Sequence, residues 1–445
     1  MDQSRHLFLA LTAVLVGFGV LMVHSASVTS WPTEAERIYL SRHVVFLAIG
    51  MTTAGVAALL PASFWRRAAP WLFFASLALL GAVLVPGIGT EVNGARRWLR
   101  YGPLSLQPCE LAKIALPLLL ARMLGRSRAK YVPPAGRDVE RAVTRPESER
   151  CARTRRLPSF VRWLRRSVTA KPQPSEPAIP LTTSIPAEWT YISPAGRDVE
   201  RAMAEARSGR TGLLLVWPIL LVVPLVAIQP DLGTALFLAA GAAIALFAGG
   251  WPLRNFVLAS LAAVPACWSL MALKPYQMNR IKGFVAAWSD WNEAPYQLKQ
   301  SLMTLAAGGT WGVGLGRGWQ KLSFLPEANT DFVVAVAGEE LGLVGTLSLA
   351  AVWLALYLSG LRLLSRLEAR SFEWIAGFTL LTQLVAQAAL NVAVVTAMVP
   401  PKGIPHPLIS YGGSNLVVSL VAIGIVISLS RAEADTPCPS STFSS

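Results

Sequence analysis

The sequence predicts an all-α polytopic membrane protein with about ten transmembrane helices and a large outer loop between the seventh and eighth. Three observations lead there. Hydrophobic residues make up 53% of the 445-residue chain against 15% charged, and the mean hydropathy is +0.47, too apolar for a soluble enzyme of this length. Apolar stretches of roughly spanning length, about 17 to 25 residues, recur along the chain. Lys and Arg gather in alternate connections between those stretches, the asymmetry that orients a membrane protein.

In chain order the stretches fall near residues 7–24, 43–60, 71–86, 104–124, 213–228, 232–250, 255–273, 333–358, 374–398 and 416–430. The first, followed by Ser25-Ala26-Ser27, has the look of a signal peptide, but with nine more behind it an uncleaved first helix is expected. The fourth contains Glu110 and Lys113. Arg5 precedes the first; Arg66 and Arg67 follow the second, Arg254 the sixth, Arg362, Arg366 and Arg370 the eighth and Arg431 the tenth. With ten spans these all share one side, the cytoplasmic one. Arg96, Arg97 and Arg100 fall on the outer side, where basic residues call for a functional explanation.

The chain thus divides into 1–124 (helices one to four), 125–212, 213–431 (helices five to ten, with an outer loop at 274–332) and a cytoplasmic tail at 432–445. Residues 125–212 hold 18 Lys or Arg against 9 Asp or Glu, a net +9 of the chain's +15. Their Pro, Arg, Ser and Thr content predicts a disordered cytoplasmic loop, and the charge reads as topology and attraction to anionic lipid, not nucleic-acid binding. PAGRDVERA occurs in it twice, at 134–142 and 194–202, a local duplication rather than a solenoid. Cys109, Cys151, Cys267 and Cys438 suggest no disulfide framework, and His6, His24, His43 and His406 have no metal-ligand spacing.

The outer loop contains Trp288, Trp291, Trp311, Trp319, Tyr276 and Tyr296, suited to a membrane interface, and a Gly-rich stretch at 308–318 that matches no P-loop. It leads into Leu325-Pro326-Glu327-Ala328-Asn329-Thr330-Asp331-Phe332 and Gly338-Glu339-Glu340-Leu341-Gly342, which place four carboxylates within fourteen residues at a membrane boundary. Ionisable groups there are costly and mark function. Glu327 and Asp331 stand four apart, so on a helix they share one face and one perturbs the other's proton affinity. Gln229-Pro230-Asp231 and Ser410-Tyr411-Gly412-Gly413-Ser414 read as tight outer turns, with Asp231 an acid that needs a partner.

Asn93-Gly94-Ala95-Arg96-Arg97-Trp98-Leu99, Gln107-Pro108-Cys109-Glu110-Leu111-Ala112-Lys113, Gln229-Pro230-Asp231-Leu232-Gly233-Thr234-Ala235, Tyr296-Gln297 to Gln300-Ser301, Gln320-Lys321, the 326–342 window and Lys402-Gly403-Ile404-Pro405 running to Ser414 together resemble the SEDS (shape, elongation, division and sporulation) family. The match follows all ten stretches in order, and Gln-Lys-Leu before Leu-Pro-Glu-Ala is more similar to the division branch than to the elongation branch. Cys109, Pro401 and His406 depart from the family's usual residues, and none removes a charged group. The resemblance implies a peptidoglycan glycosyltransferase that polymerises lipid II at the outer face of the cytoplasmic membrane, at the division septum, with a class B penicillin-binding transpeptidase and other division proteins as partners. It implies Asp331 as catalytic carboxylate, supported by Trp98 and Lys113.

The chemistry agrees. Moving a sugar from a diphosphate-lipid donor to a hydroxyl with inversion needs a base near the hydroxyl and positive charge near the departing diphosphate. One carboxylate and cations suffice, unlike hydrolysis by paired carboxylates. Asp331 supplies the base; Arg96, Arg97 and Lys113, or a divalent cation (Mg or Mn) on outer carboxylates, supply the charge. For Lys113 the alternative is an ion pair with Glu110, three residues earlier on one helix face; for Arg96 and Arg97 it is lipid headgroup contact. Glu110, Glu327, Lys321, Lys402 and Ser410 complete the expected substrate-binding set. A lipid II flippase, an elongation-type polymerase and a division scaffold are the competing readings.

Overall fold

A computed structural model of the chain describes residues 3–27, 34–92, 95–101, 104–125, 209–272, 275–322 and 324–432. The duplicated 134–142 and 194–202 segments, the rest of the expected cytoplasmic loop up to residue 208, Cys151 and Cys438 lie outside the described residues. By contacts the chain divides into Met1–Arg128 with Ile219–Ser445, and Ala129–Pro218. The first unit contains the site described below.

The described α-helices are α1 (Gln3–Ser27), α2 (Glu34–Leu59), α3 (Ala62–Leu84), α4 (Pro108–Leu124), α5 (Gly209–Ile228), α6 (Leu232–Ala248), α7 (Leu253–Ala272), α8 (Pro275–Ala286), α9 (Tyr296–Gly308), α10 (Val333–Leu364), α11 (Phe372–Val395) and α12 (Gly413–Ser430). Every expected apolar stretch meets one of them. Six segments, in α1, α2, α3, α10, α11 and α12, are long and apolar enough to cross a membrane; Leu215–Ile228, Leu232–Ala248 and Leu253–Pro265 are shorter apolar helices. The chain is a mostly helical, multi-pass membrane protein.

Local chemistry sets the ends. Asp231 caps α6 by accepting from the Thr234 amide at 3.1 Å, Ser371 caps α11 by accepting from the Trp374 amide at 3.0 Å, and Pro108 opens α4, where its missing N–H costs nothing. The fourth span therefore starts later than expected. Leu104–Leu106 is instead β3 of a small antiparallel sheet with β1 (Gly89–Val92) and β2 (Ala95–Tyr101), the one departure from an all-helical reading among the described residues. The expected outer loop also holds two helices of its own, α8 and α9, too short to span.

The core is a seam of large apolar side chains, with α12 packed on α2, α4 on α3 and α1 on α10. Phe8, Leu15 and Met22 of α1, Leu356 of α10 and Leu420 and Ile425 of α12 are buried. Lipid-facing surfaces remain apolar, as at Trp71 and Leu347. At Gly342, with φ 68° and ψ −166°, α10 breaks. Only glycine adopts that conformation freely, and backbone atoms of Thr310 and Gly312 fill the space a side chain would need. The 309–314 stretch repairs the break: Val313 and Gly314 amides donate to the Glu339 and Glu340 carbonyls, and Leu343 and Val344 amides to those of Gly309 and Thr310. Broken backbone in an apolar helix persists where freed groups find such partners.

Two ends result. At one, Arg122 donates to the Arg66 and Arg67 carbonyls. At the other, the sheet, the 229–231 turn, the turn before α10 and residues 396–412 come together.

Candidate active site

Asp331 ends the turn that leads into α10, between exposed Glu327 and buried Phe332. Glu327 sits in the left-handed region at φ 56°, and its carboxylate accepts from the Thr330 hydroxyl at 2.7 Å. The expectation of one shared helix face is thus met by a turn instead, which still sets Glu327 beside Asp331. The Tyr411 amide donates to the Asn329 carbonyl at 2.8 Å, tying this turn to the segment before α12. Residues 401–404 cross the carboxylate so closely that a side chain on Gly403 would lie 3.2 Å from Asp331 Oδ2.

Burial, then the Glu327 charge, raise the Asp331 carboxyl to about 7, with Arg280 pulling the other way and Asp231 adding a smaller push upward. A base poised near neutrality is matched to taking a proton from a hydroxyl. Lys402 flanks Gly233 together with Asp231, and burial lowers its proton affinity. No described side chain pairs with the Lys402 ammonium. Arg280, on α8, donates to the Pro401 carbonyl at 3.3 Å, which anchors it beside this segment.

Asp231 finds its partner in Arg97, 3.6 Å away. The Arg97 guanidinium also donates to the Gln229 and Pro230 carbonyls at 3.2 and 2.5 Å, so it holds the whole 229–231 turn. Arg96 reaches Glu91 across the β1–β2 pair at 3.4 Å and is well exposed; Trp98, opposite Thr90, is half-buried. Lys113 forms the ion pair with Glu110, at 2.7 Å, and also donates to Gln387 Oε1 at 3.1 Å, with the Phe237 ring 5.3 Å away.

Two expected site residues stand apart. Lys321 is buried, and its ammonium donates to Glu340 at 2.7 Å, to the Ser25 hydroxyl at 2.9 Å and to the Gly316 carbonyl at 3.1 Å. Its three donors are spent on the protein, because it closes the loop onto the broken helix. Ser410 accepts from the His406 amide at 2.8 Å inside a buried turn. His406 itself is held neutral, pushed down to about 4 by burial, and its ring meets Trp353 edge-on at 5.4 Å. Cys109 is a buried free thiol.

Sequence reasoning missed Arg280, Gln387 and Asn391. Arg280 lies on an amphipathic helix taken for loop. The two amides sit in a stretch read only for its hydropathy, yet polar residues four apart in it were visible. Among the described residues no three His, Cys, Asp or Glu side chains converge as metal ligands. A divalent cation at Asp331 would draw most of its oxygen ligands from phosphate and water, a habit of Mg²⁺.

An apolar helical bundle with Asp331, Asp231, Arg97, Arg280 and Lys402 gathered at one end defines a multi-pass membrane protein with a polar site there. The family described as cell cycle protein, which groups FtsW, RodA and SpoVE, matches residues 5–144 and 161–435, and the chain belongs to it. A probable peptidoglycan glycosyltransferase FtsW of Trichlorobacter lovleyi is 31% identical over 425 residues, 95% of this chain and 92% of that one. One from Tolumonas auensis is 32% identical over 423 residues, 94% and 90% of the two chains. Among solved structures, a chain from a peptidoglycan synthase complex that coordinates polymerization and crosslinking superposes with a TM-score of 0.62 at 25% identity, covering 96% of this chain and 98% of that one. The rod shape determining protein RodA of Thermus thermophilus gives 0.56 at 25% identity over 95% of each chain.

Proposed function

We infer that this protein is a peptidoglycan glycosyltransferase of the division type, which polymerises lipid II into glycan strands at the outer face of the cytoplasmic membrane. Its family and its FtsW relatives support the activity. The observation that carries the mechanism is Asp331, a partly buried carboxylate raised to about 7 at the mouth of the bundle, with Lys402 on the segment that covers it and Arg280 of α8 bonded to that segment.

Asp331 accepts the proton of the acceptor hydroxyl as that oxygen attacks the anomeric carbon of the donor. The new C–O bond forms while the bond to the diphosphate oxygen breaks, and the configuration inverts. The diphosphate leaves as an anion, so cations suffice to stabilise it. Lys402 and Arg280 are placed for that, with Arg96 and Trp98 on the sheet meeting more distant parts of the substrate. Arg97 holds the Asp231 turn, and the buried Lys113–Glu110 pair supports the pocket from below. The structure's likeness to a chain of a synthase complex supports a crosslinking partner, a class B penicillin-binding transpeptidase, and the FtsW relatives support work at the septum.

The purified chain, incubated with labelled lipid II with and without that transpeptidase, should yield polymer on a gel. A lipid carrier or a scaffold yields none.

A further inference from the structure

Helix α11 places Thr379, Gln383, Gln387 and Asn391 on one face at four-residue spacing, all buried within an apolar helix. Buried polar groups in such a setting need partners and point to function. Thr379 needs no further account, since its hydroxyl donates to the Ile375 carbonyl one turn back. Gln387 and Asn391 look outward instead.

Asn391 Nδ2 donates to the Asp331 carbonyl at 2.8 Å and to the Ile404 carbonyl at 2.9 Å. Gln387 Nε2 donates to the Pro405 carbonyl at 2.8 Å and to Asn415 Oδ1 at 2.9 Å, while its Oε1 accepts from Lys113. Each amide nitrogen thus uses both its hydrogens on elements other than its own helix. One nitrogen holds both the backbone of Asp331 and the segment that crosses over its carboxylate.

We propose that Gln387 and Asn391 are positioning residues, a two-rung ladder that sets the 402–405 segment over Asp331 and registers both against the Lys113–Glu110 pair. The inference rests on Asp331 being the base. Without Asn391 the Asp331 carbonyl and the 404 carbonyl lose their shared donor, the covering segment is free to lift, and the carboxylate gains water. Two consequences follow that simple tertiary glue does not have. Turnover falls by about 10²-fold, the scale of a reacting group displaced by about 1 Å. The acid limb of the pH profile moves down from about 7, because burial is the chief cause of the raised value.

The test uses full-length protein with its transpeptidase, labelled lipid II, and pH profiles of kcat/KM, which report the free enzyme, for the parent, Asn391→Ala, Asn391→Ser, Gln387→Ala and Asp331→Asn. Expected are a fall in kcat/KM with a downshifted acid limb for Asn391→Ala, and a smaller shift in the same direction for Asn391→Ser, which keeps one donor. Loss in step with the folded fraction, on an unmoved limb, overturns the proposal. If Asn391→Ala does not accumulate folded, Asn391→Ser decides alone, by the same shift or its absence. Parent-like activity in Asp331→Asn instead refutes the base itself, a separate failure.

Discussion

The four carboxylates that crowd residues 327–340 look alike in sequence, yet the fold sorts them into two kinds. Glu339 and Glu340 are buried and fully engaged: Glu339 accepts from the Trp319 and Gln320 amides, and Glu340 from Lys321 and Ser25. Glu327 and Asp331, in the turn just before the same helix, have no cation bonded to them in this way; Asp331 has burial and a like-charged neighbour. The first pair clamps a loop to a broken helix. The second holds a proton affinity at a useful value. What separates structure from chemistry here is the supply of partners, not the density of charge.

The contrast is broken most severely at Glu340. Glu340→Ala leaves the Lys321 ammonium buried and unpaired, which costs about 3–5 kcal/mol, a large part of a typical folding free energy. Thermal denaturation in detergent should show that loss, and the double change Lys321→Met with Glu340→Leu should recover most of it. A Glu340→Ala protein as stable as the parent would remove the clamp from the account.

At the mouth the expectation reverses, with stability kept and function lost. Lys402→Ala should leave melting unchanged while slowing turnover by roughly tenfold, about 1.4 kcal/mol of stabilisation of the leaving diphosphate. Single-turnover rates and donor binding, read together, check it; an unchanged single-turnover rate would move Lys402 out of the site.

The smallest effect is expected from the basic segment between α4 and α5. Deleting residues 134–193 removes one PAGRDVERA copy from the chain between α4 and α5. Shortening that connection from 84 to 24 residues alters closure entropy by only about 1 kcal/mol. Polymerisation by the purified deletion should match the parent, and complementation in cells would report any partner or anionic lipid that reads the basic segment.

Much of this was legible in sequence because its physics is local. Hydropathy located each long helix, and three-residue spacing announced the Lys113–Glu110 pair. Partners distant in the chain were hidden: Arg97 with Asp231, and Lys321 with Ser25 and Glu340, need the packed bundle to meet. Lys321 accordingly looked like a substrate ligand until its donors were seen to be used. The β1–β3 sheet was missed because 104–106 was counted into the apolar stretch although Pro108 marks where the helix begins, and α8 because it lies in a stretch read as loop. Asp231 was recognisable as an acid in need of a partner, though not whose.

The central claim is that Asp331 takes the proton. Polymerisation of labelled lipid II by the parent should rise with pH through about 7, since only the deprotonated carboxylate acts as base and its affinity is raised to that value. Asp331→Asn, similar in size and unable to accept the proton, should insert and melt as the parent does, yet polymerise about 10²-fold more slowly or worse. An Asn variant that polymerises at close to the parent rate, on the parent's pH profile, would contradict the account.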